Sequence, residues 1–162
     1  MSKKKTSNAA QIFKSTVVIH LAICGLTAVV VGTLYTLKSQ AGEIASSEIG
    51  LNAFELLVPV ISLLSGFGAY FIGKQKFKKI KDSDKLASKL DLYRSNNILL
   101  WAALEGSTFF AAVTFYVSGR TNLLLYALML AVLLVYFRPL KSRAAEDLNL
   151  SPDEVDKLDE SN

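Results

Sequence analysis

Apolar residues gather in four runs along the chain, at about residues 13–37, 53–73, 97–117 and 123–137, with charged stretches between them. A helix of about 20 apolar residues crosses the roughly 30 Å of a bilayer's hydrocarbon, so each run predicts a membrane span. The connections are short: residues 39–52 join the first pair, and Ser118-Gly119-Arg120-Thr121-Asn122 joins the second. The pattern therefore predicts an all-α polytopic integral membrane protein, with four transmembrane helices in two hairpins and a transmembrane domain over residues 13–138. Residues 1–12 are expected to be a disordered cytoplasmic N-terminus.

Two stretches outside the runs carry structural signals. Between Lys74 and Arg94, Phe77, Ile80, Leu86, Leu90 and Tyr93 are spaced to extend the second and third helices beyond the bilayer, with a break around Asp82-Ser83-Asp84. In the tail, residues 139–162, Ser151-Pro152-Asp153-Glu154 reads as a capping box with proline at the first helical position, opening a short helix through Leu158.

Charge then orients the spans. The chain has a net charge of +4, and its bases flank the apolar runs: Lys3, Lys4, Lys5 and Lys14 before the first, Lys74 through Arg94 after the second, and Arg138, Lys141 and Arg143 after the fourth. The residue 39–52 connection carries Glu43 and Glu48 instead. By the positive-inside rule both termini and the basic 74–94 loop are cytoplasmic, with Arg120 the dissenting charge. Bases placed this way orient helices and do not point to nucleic acid. Lys74, Lys76, Lys78, Lys79 and Lys81 are candidate contacts to anionic lipid headgroups, each worth about 1 kcal/mol near such a surface. The acidic tail, with Glu146, Asp147, Asp153, Glu154, Asp156, Asp159 and Glu160, is able to pair with that loop. Ser39-Gln40-Ala41 loosely resembles a cleavage site, but the first run exceeds the roughly 7–15 residues of a signal h-region, so retention is expected.

The single cysteine, Cys24, lies inside the first run, which excludes an intrachain disulfide and a cysteine metal cluster. Small residues recur at four-residue spacing: Cys24, Ala28, Gly32 and Thr36 in the first span, Ser62 and Gly66 in the second, and Ala102 and Gly106 in the third. Such faces let backbones approach where lipid removes the hydrophobic drive, so they are expected to pack the bundle. Pro59 is expected to loosen the second helix, and Trp101, Tyr70, Tyr93 and Tyr136 to form an interfacial belt.

Ionisable residues within spans are the candidate chemistry, because a charge near the bilayer centre costs at least about 2.5–3.5 kcal/mol. Glu55 lies near enough to the outer interface to be solvated at a helix start. His20 sits about two turns inside the first span. Glu105 follows Arg94 by a stretch of about 16 Å at 1.5 Å per residue, near the midplane, where a carboxyl must be protonated, paired or facing water. Glu105 and His20 form the candidate intramembrane polar site. No nucleophile–base pair, phosphate loop or metal-ligand spacing accompanies them, so neither enzymatic activity nor a cofactor is expected.

Trp101-Ala102-Ala103-Leu104-Glu105-Gly106, Phe109-Phe110, and the Arg138-Pro139 exit leading to Glu146-Asp147-Leu148 resemble a family of small, uncharacterised four-helix bacterial membrane proteins. The resemblance covers about the C-terminal half and departs at Leu100, where the family pattern has a basic residue. It implies a bacterial inner-membrane location and no reaction. The rotor proteolipid of rotary ATPases is similar in length, helix number and membrane glutamate, but this chain lacks its internal repeat and glycine density. The expectation is a non-enzymatic scaffold or accessory subunit, with the bilayer and a membrane protein or second copy as partners. The alternative is a small proton-coupled transporter or channel using Glu105.

Overall fold

The computed structural model describes residues 3–42, 53–78, 80 and 84–158, with side chains for residues 9–42, 53, 56–78, 80 and 84–158. Regular structure among them is helical throughout: α1 Lys3–Gln40, α2 Ala53–Phe77, α3 Leu86–Ser118, α4 Thr121–Tyr136, α5 Lys141–Leu148 and α6 Pro152–Asp156. Three helical stretches, Ala9–Gln40, Leu56–Phe77 and Leu86–Ser118, are long and apolar enough to cross a membrane. The chain is a membrane-embedded helical protein. The expected fourth span is less complete: α4 has 16 residues, about 24 Å of helix, and reaches spanning length only when joined to α5 across the break before Lys141. In contrast, α3 has 33 residues, about 50 Å. Its first turns carry Lys89, Asp91 and Arg94, which keeps that end out of hydrocarbon.

The chain divides into two compact units. The first comprises Met1–Leu21, Ala69–Leu100 and Arg138–Asn162; the second comprises Ala22–Gly68 and Trp101–Phe137.

The first unit has a core of its own. Ala9, Ile12 and Phe13 of α1 meet Leu90 and Tyr93 of α3, Ala144 and Leu148 of α5, and Leu158 just beyond α6. Phe77, Ile80 and Leu86, which the spacing assigned to helix extensions, pack against this cluster. Residues 3–12 are helical, not disordered as the sequence suggested. The reason is packing: Ala9, Ile12 and Phe13 recur at one helical face and find an apolar partner in the tail. The tail also departs from expectation, since α5 precedes the short helix and both are docked. A reversal joins them. Asn149 takes the left-handed conformation at φ 49°, while the amides of Leu150 and Asn149 donate to the carbonyls of Ala145 and Glu146 at 3.0 and 3.4 Å. This Schellman-type stop satisfies the last carbonyls of α5. Two residues on, the predicted capping box is present: Glu154 N–H donates to Ser151 Oγ at 3.3 Å and Ser151 N–H to Glu154 Oε2 at 3.0 Å.

The second unit packs Val31 of α1, Val58 of α2, Ala111, Ala112 and Phe115 of α3, and Leu123 and Ala127 of α4. At the tight turn, Gly119 closes α3 with φ 73°, and its N–H donates to Phe115 O at 2.7 Å. A Cβ here would be strained, so glycine suits the turn. Large apolar side chains on α2 point outward, including Leu56, Leu63, Leu64 and Phe67.

Candidate functional site

The two ionisable residues singled out within the spans fall in different units. His20 belongs to the first unit and Glu105 to the second. His20 is buried, one turn after Thr16, whose hydroxyl donates to Ile12 O at 2.8 Å. The side chain of Glu55 lies outside the described residues.

Glu105 sits on α3 among residues that alternate between neighbours. Leu104 approaches α2, where a Cβ at Gly66 would lie 3.8 Å from its Cδ2. Ser107 also faces α2, with its Oγ 2.9 Å from Ser65 Oγ while it donates to Ala103 O at 2.8 Å. Glu105 lies between these two in sequence and on another side of α3. Its Oε1 is enclosed and has no hydrogen-bond partner, although the residue as a whole is half-buried.

One turn beyond Cys24, Thr27 adds a second anomaly. Hydroxyls elsewhere in these helices donate to the carbonyl four residues back, as Thr36 does to Gly32, Ser62 to Val58, Thr108 to Leu104 and Ser118 to Thr114. Thr27 Oγ1 is buried without any partner, in a residue 1% exposed. An unpaired buried hydroxyl costs about 1–3 kcal/mol. Glu105 Oε1 and Thr27 Oγ1 are thus two enclosed polar atoms of this unit without a hydrogen-bond partner.

The small-residue positions divide. Gly66 and Ser62 lie on the α2 side that includes the Ser65–Ser107 contact. Ala28, Gly32, Ala102 and Gly106 are exposed, and a Cβ at Gly32 or Gly106 would meet nothing within 4 Å. Those four do not pack inside the unit as the spacing suggested, because α1 and α3 meet through neighbouring positions of their helical faces. The aromatic belt is corrected similarly. Tyr70 and Tyr136 are exposed, but Trp101 and Tyr93 are buried. Trp101 Nε1 donates to Phe137 O at 3.0 Å, so its indole caps the end of α4.

Among the described residues, two ion pairs join the basic loop and the acidic tail. Lys74 Nζ lies 3.2 Å from Asp147 Oδ1, an exposed contact. Lys89 Nζ, whose side chain is 2% exposed, lies 3.3 Å from Glu154 Oε1. That carboxylate also closes the capping box, so a single side chain both forms α6 and fastens it to α3. The sequence contained both partners, but their pairing depends on docking that no local spacing shows. The hydrogen bond and charge of Asp147 raise the Lys74 pKa. Burial, then the charge of Asp147, pushes the Tyr93 phenol up to about 12. Among the headgroup candidates, Lys76 and Lys78 are exposed, Lys74 is engaged, and Lys79 and Lys81 lie outside the described residues.

Among the described residues, no three His, Cys, Asp or Glu side chains gather as a metal-ligand group. Compared with protein families, curated proteins and solved structures, the chain matches none, so its functional reading rests on its own residues.

Proposed function

We propose that this is a non-enzymatic scaffold or accessory subunit of a membrane complex. The observation that carries this reading is the docked tail. Helices α5 and α6 supply Ala144, Leu148 and, just beyond, Leu158 to a closed apolar core with the start of α1 and the start of α3. A tail held this way presents a folded surface, whereas a loose tail would give a partner no fixed geometry. The outward apolar residues of α2 offer contact to lipid or to a neighbouring membrane helix.

The proposal includes four spans with α4 as a short fourth crossing, both termini in the cytoplasm, and the bacterial inner membrane implied by the resemblance around Trp101 and Glu105. The flanking bases support that orientation. On this topology the first unit is cytoplasmic, with Lys76 and Lys78 available to anionic headgroups.

Mass spectrometry of a tagged copy, purified at native expression in mild detergent, tests the reading. A stoichiometric membrane-protein partner is the expected result. Recovery solely as a homo-oligomer across detergents and gentle crosslinking would overturn it.

A further inference from the structure

We propose that Glu105 is the docking point for a basic side chain, a lysine or arginine, carried on a transmembrane helix of the partner protein. The inference rests on the accessory-subunit reading above and on α3 crossing the bilayer. The observation that carries it is a carboxyl to which this chain supplies nothing. Among the described residues no hydrogen bond or ion pair reaches Glu105. Its Oε1 is enclosed without a partner, and the half-buried residue leaves its other oxygen to a group from outside the chain. Neighbouring polar side chains of α3 are served from within: Ser107, Thr108 and Thr114 donate to carbonyls of their own helix, and the Trp101 indole to Phe137 O.

The cations of the second unit are Lys38 and Arg120, and both are distant. Lys38 Nζ stands 5.9 Å from the centroid of the Tyr116 ring, and Tyr116 follows Glu105 by about 16 Å along α3. Arg120 lies farther still, beyond the end of that helix. In the other direction along α3, Arg94 is about 16 Å away and pairs with Asp91 at 2.9 Å. A carboxylate without a cation in hydrocarbon is costly, and a protonated acid here would still hold a hydroxyl without an acceptor. A lysine or arginine on a neighbouring helix relieves both conditions, because it brings charge and hydrogen-bond donors together. The ground beside the carboxyl is open to such a helix. Ala102 and Gly106 are exposed, and a Cβ at Gly106 would meet nothing within 4 Å, so a partner backbone is able to approach closely. The outward face of α2 has no charged side chain from Leu56 to Gly73. Charge complementarity therefore places the partner at α3.

Reciprocal charge exchange tests the docking point. Tagged full-length wild type, E105Q and E105K are purified at native expression in mild detergent, and quantitative mass spectrometry reads the recovery of the stoichiometric membrane partner. Glutamine has the shape and neutrality of a protonated acid, so E105Q separates an ion pair from a neutral hydrogen bond. The expected result is a partner with a lysine or arginine inside a span, lost by roughly 30-fold in both variants, the effect of leaving one member of an enclosed charge pair unmatched. Changing that basic residue of the partner to glutamate should restore recovery with E105K, which also shows that the variant folds. A defined probe gives the same contrast in phospholipid vesicles. A leucine–alanine transmembrane peptide with one central lysine should associate with the wild type more than the same peptide with leucine there, and E105Q should abolish the difference. Equal association of the two peptides, a partner without a basic residue in its spans, retention of the partner in E105Q, or a loss that the reciprocal exchange does not restore would each overturn the docking point and leave the accessory-subunit reading standing. Recovery of the wild type without any membrane partner would overturn both.

Discussion

The two units bury side chains by different means. In the first, fully buried Leu90, Leu148 and Leu158 are joined by a stacked Phe77–Tyr93 pair with ring centroids 6.2 Å apart, and by a buried lysine paired with a carboxylate. Where such a core forms in water, removal of apolar surface stabilises it by about 1.5–3 kcal/mol per large side chain. In the second, Phe115 and Leu123 are enclosed, but Leu64 on α2 is 72% exposed and Val132 on α4 is 69% exposed. Lipid supplies the contacts those residues lack, and helix association there depends on packing and polar contacts such as Ser65–Ser107. The same amino acid, leucine, is therefore a core residue at Leu148 and an outward-facing one at Leu64.

The sharpest way to break the comparison is to remove one leucine from each. Leu148→Ala should cost about 2–5 kcal/mol, the range for a fully buried leucine, and release the α5–α6 segment. Limited proteolysis and amide exchange across 141–158 would show this as rapid cleavage and lost protection. Leu64→Ala should leave helix exchange and thermal stability in lipid nearly unchanged. Equal effects would mean that the outward face of α2 is packed against protein in the membrane.

A pH titration sharpens the contrast from the other side. The Tyr93 phenol is pushed up to about 12 from an ordinary value of 10.0. The folded state thus prefers its neutral form. This stabilisation is fully present below pH 10 and is lost as pH rises through the window from 10 to 12; two units correspond to about 2–3 kcal/mol. Tyrosinate absorbance should show one phenol titrating late, and Tyr93→Phe should remove that component along with its share of alkaline unfolding of the first unit.

Much of the helical framework was legible because bilayer thickness and helix rise constrain any apolar run in the same way. The capping box was legible too, since Ser151 and Glu154 act over three residues. The docking of the tail was not: Ala144 and Leu148 share a helical face, but nothing local states that their partners are Ala9, Phe13 and Leu90. Nor was the environment of Trp101 legible. Its position near a membrane boundary suited a belt, while its indole is buried on the Phe137 carbonyl. Among the enclosed polar groups, position identified Glu105, whereas Thr27 emerged only from a hydroxyl without the usual backbone partner. Such an exception depends on a rotamer and on the facing helix, neither of which composition encodes.

Lys89 tests how far the tail depends on charge compared with packing. Lys89→Met keeps the apolar stem length in a buried place and removes the ammonium. Glu154, 20% exposed on its side chain, can turn to water while its bond to Ser151 N–H persists. The change should therefore cost about 1–2 kcal/mol, below the 3–5 of a fully enclosed pair broken on one side. Lys74→Ala, at an exposed pair, should cost about 0–1 kcal/mol. Exchange rates over 151–158 measure both, and a Lys74 effect exceeding that of Lys89 would place the fastening of the tail at α5 instead of α6.

The smallest expected effect lies in the second unit. Ser65→Ala deletes the hydroxyl 2.9 Å from Ser107 Oγ but leaves Ser107 donating to Ala103 O, so no donor is stranded. Interhelical hydrogen bonds in membranes average about 0.6 kcal/mol and reach about 1.7 at most, and the substitution should fall within that range. Steric trapping or reversible unfolding in bicelles resolves differences of this size, and the double variant with Ser107→Ala separates the shared contact from the individual side chains. A coupling near zero would leave α2 held by apolar contacts, those of Val58 and the close approach of Gly66 and Leu104. A coupling well above the membrane range would mean that the Ser65–Ser107 layer is shielded from lipid by a further helix, which would bring the second unit closer to the first in how it is held together.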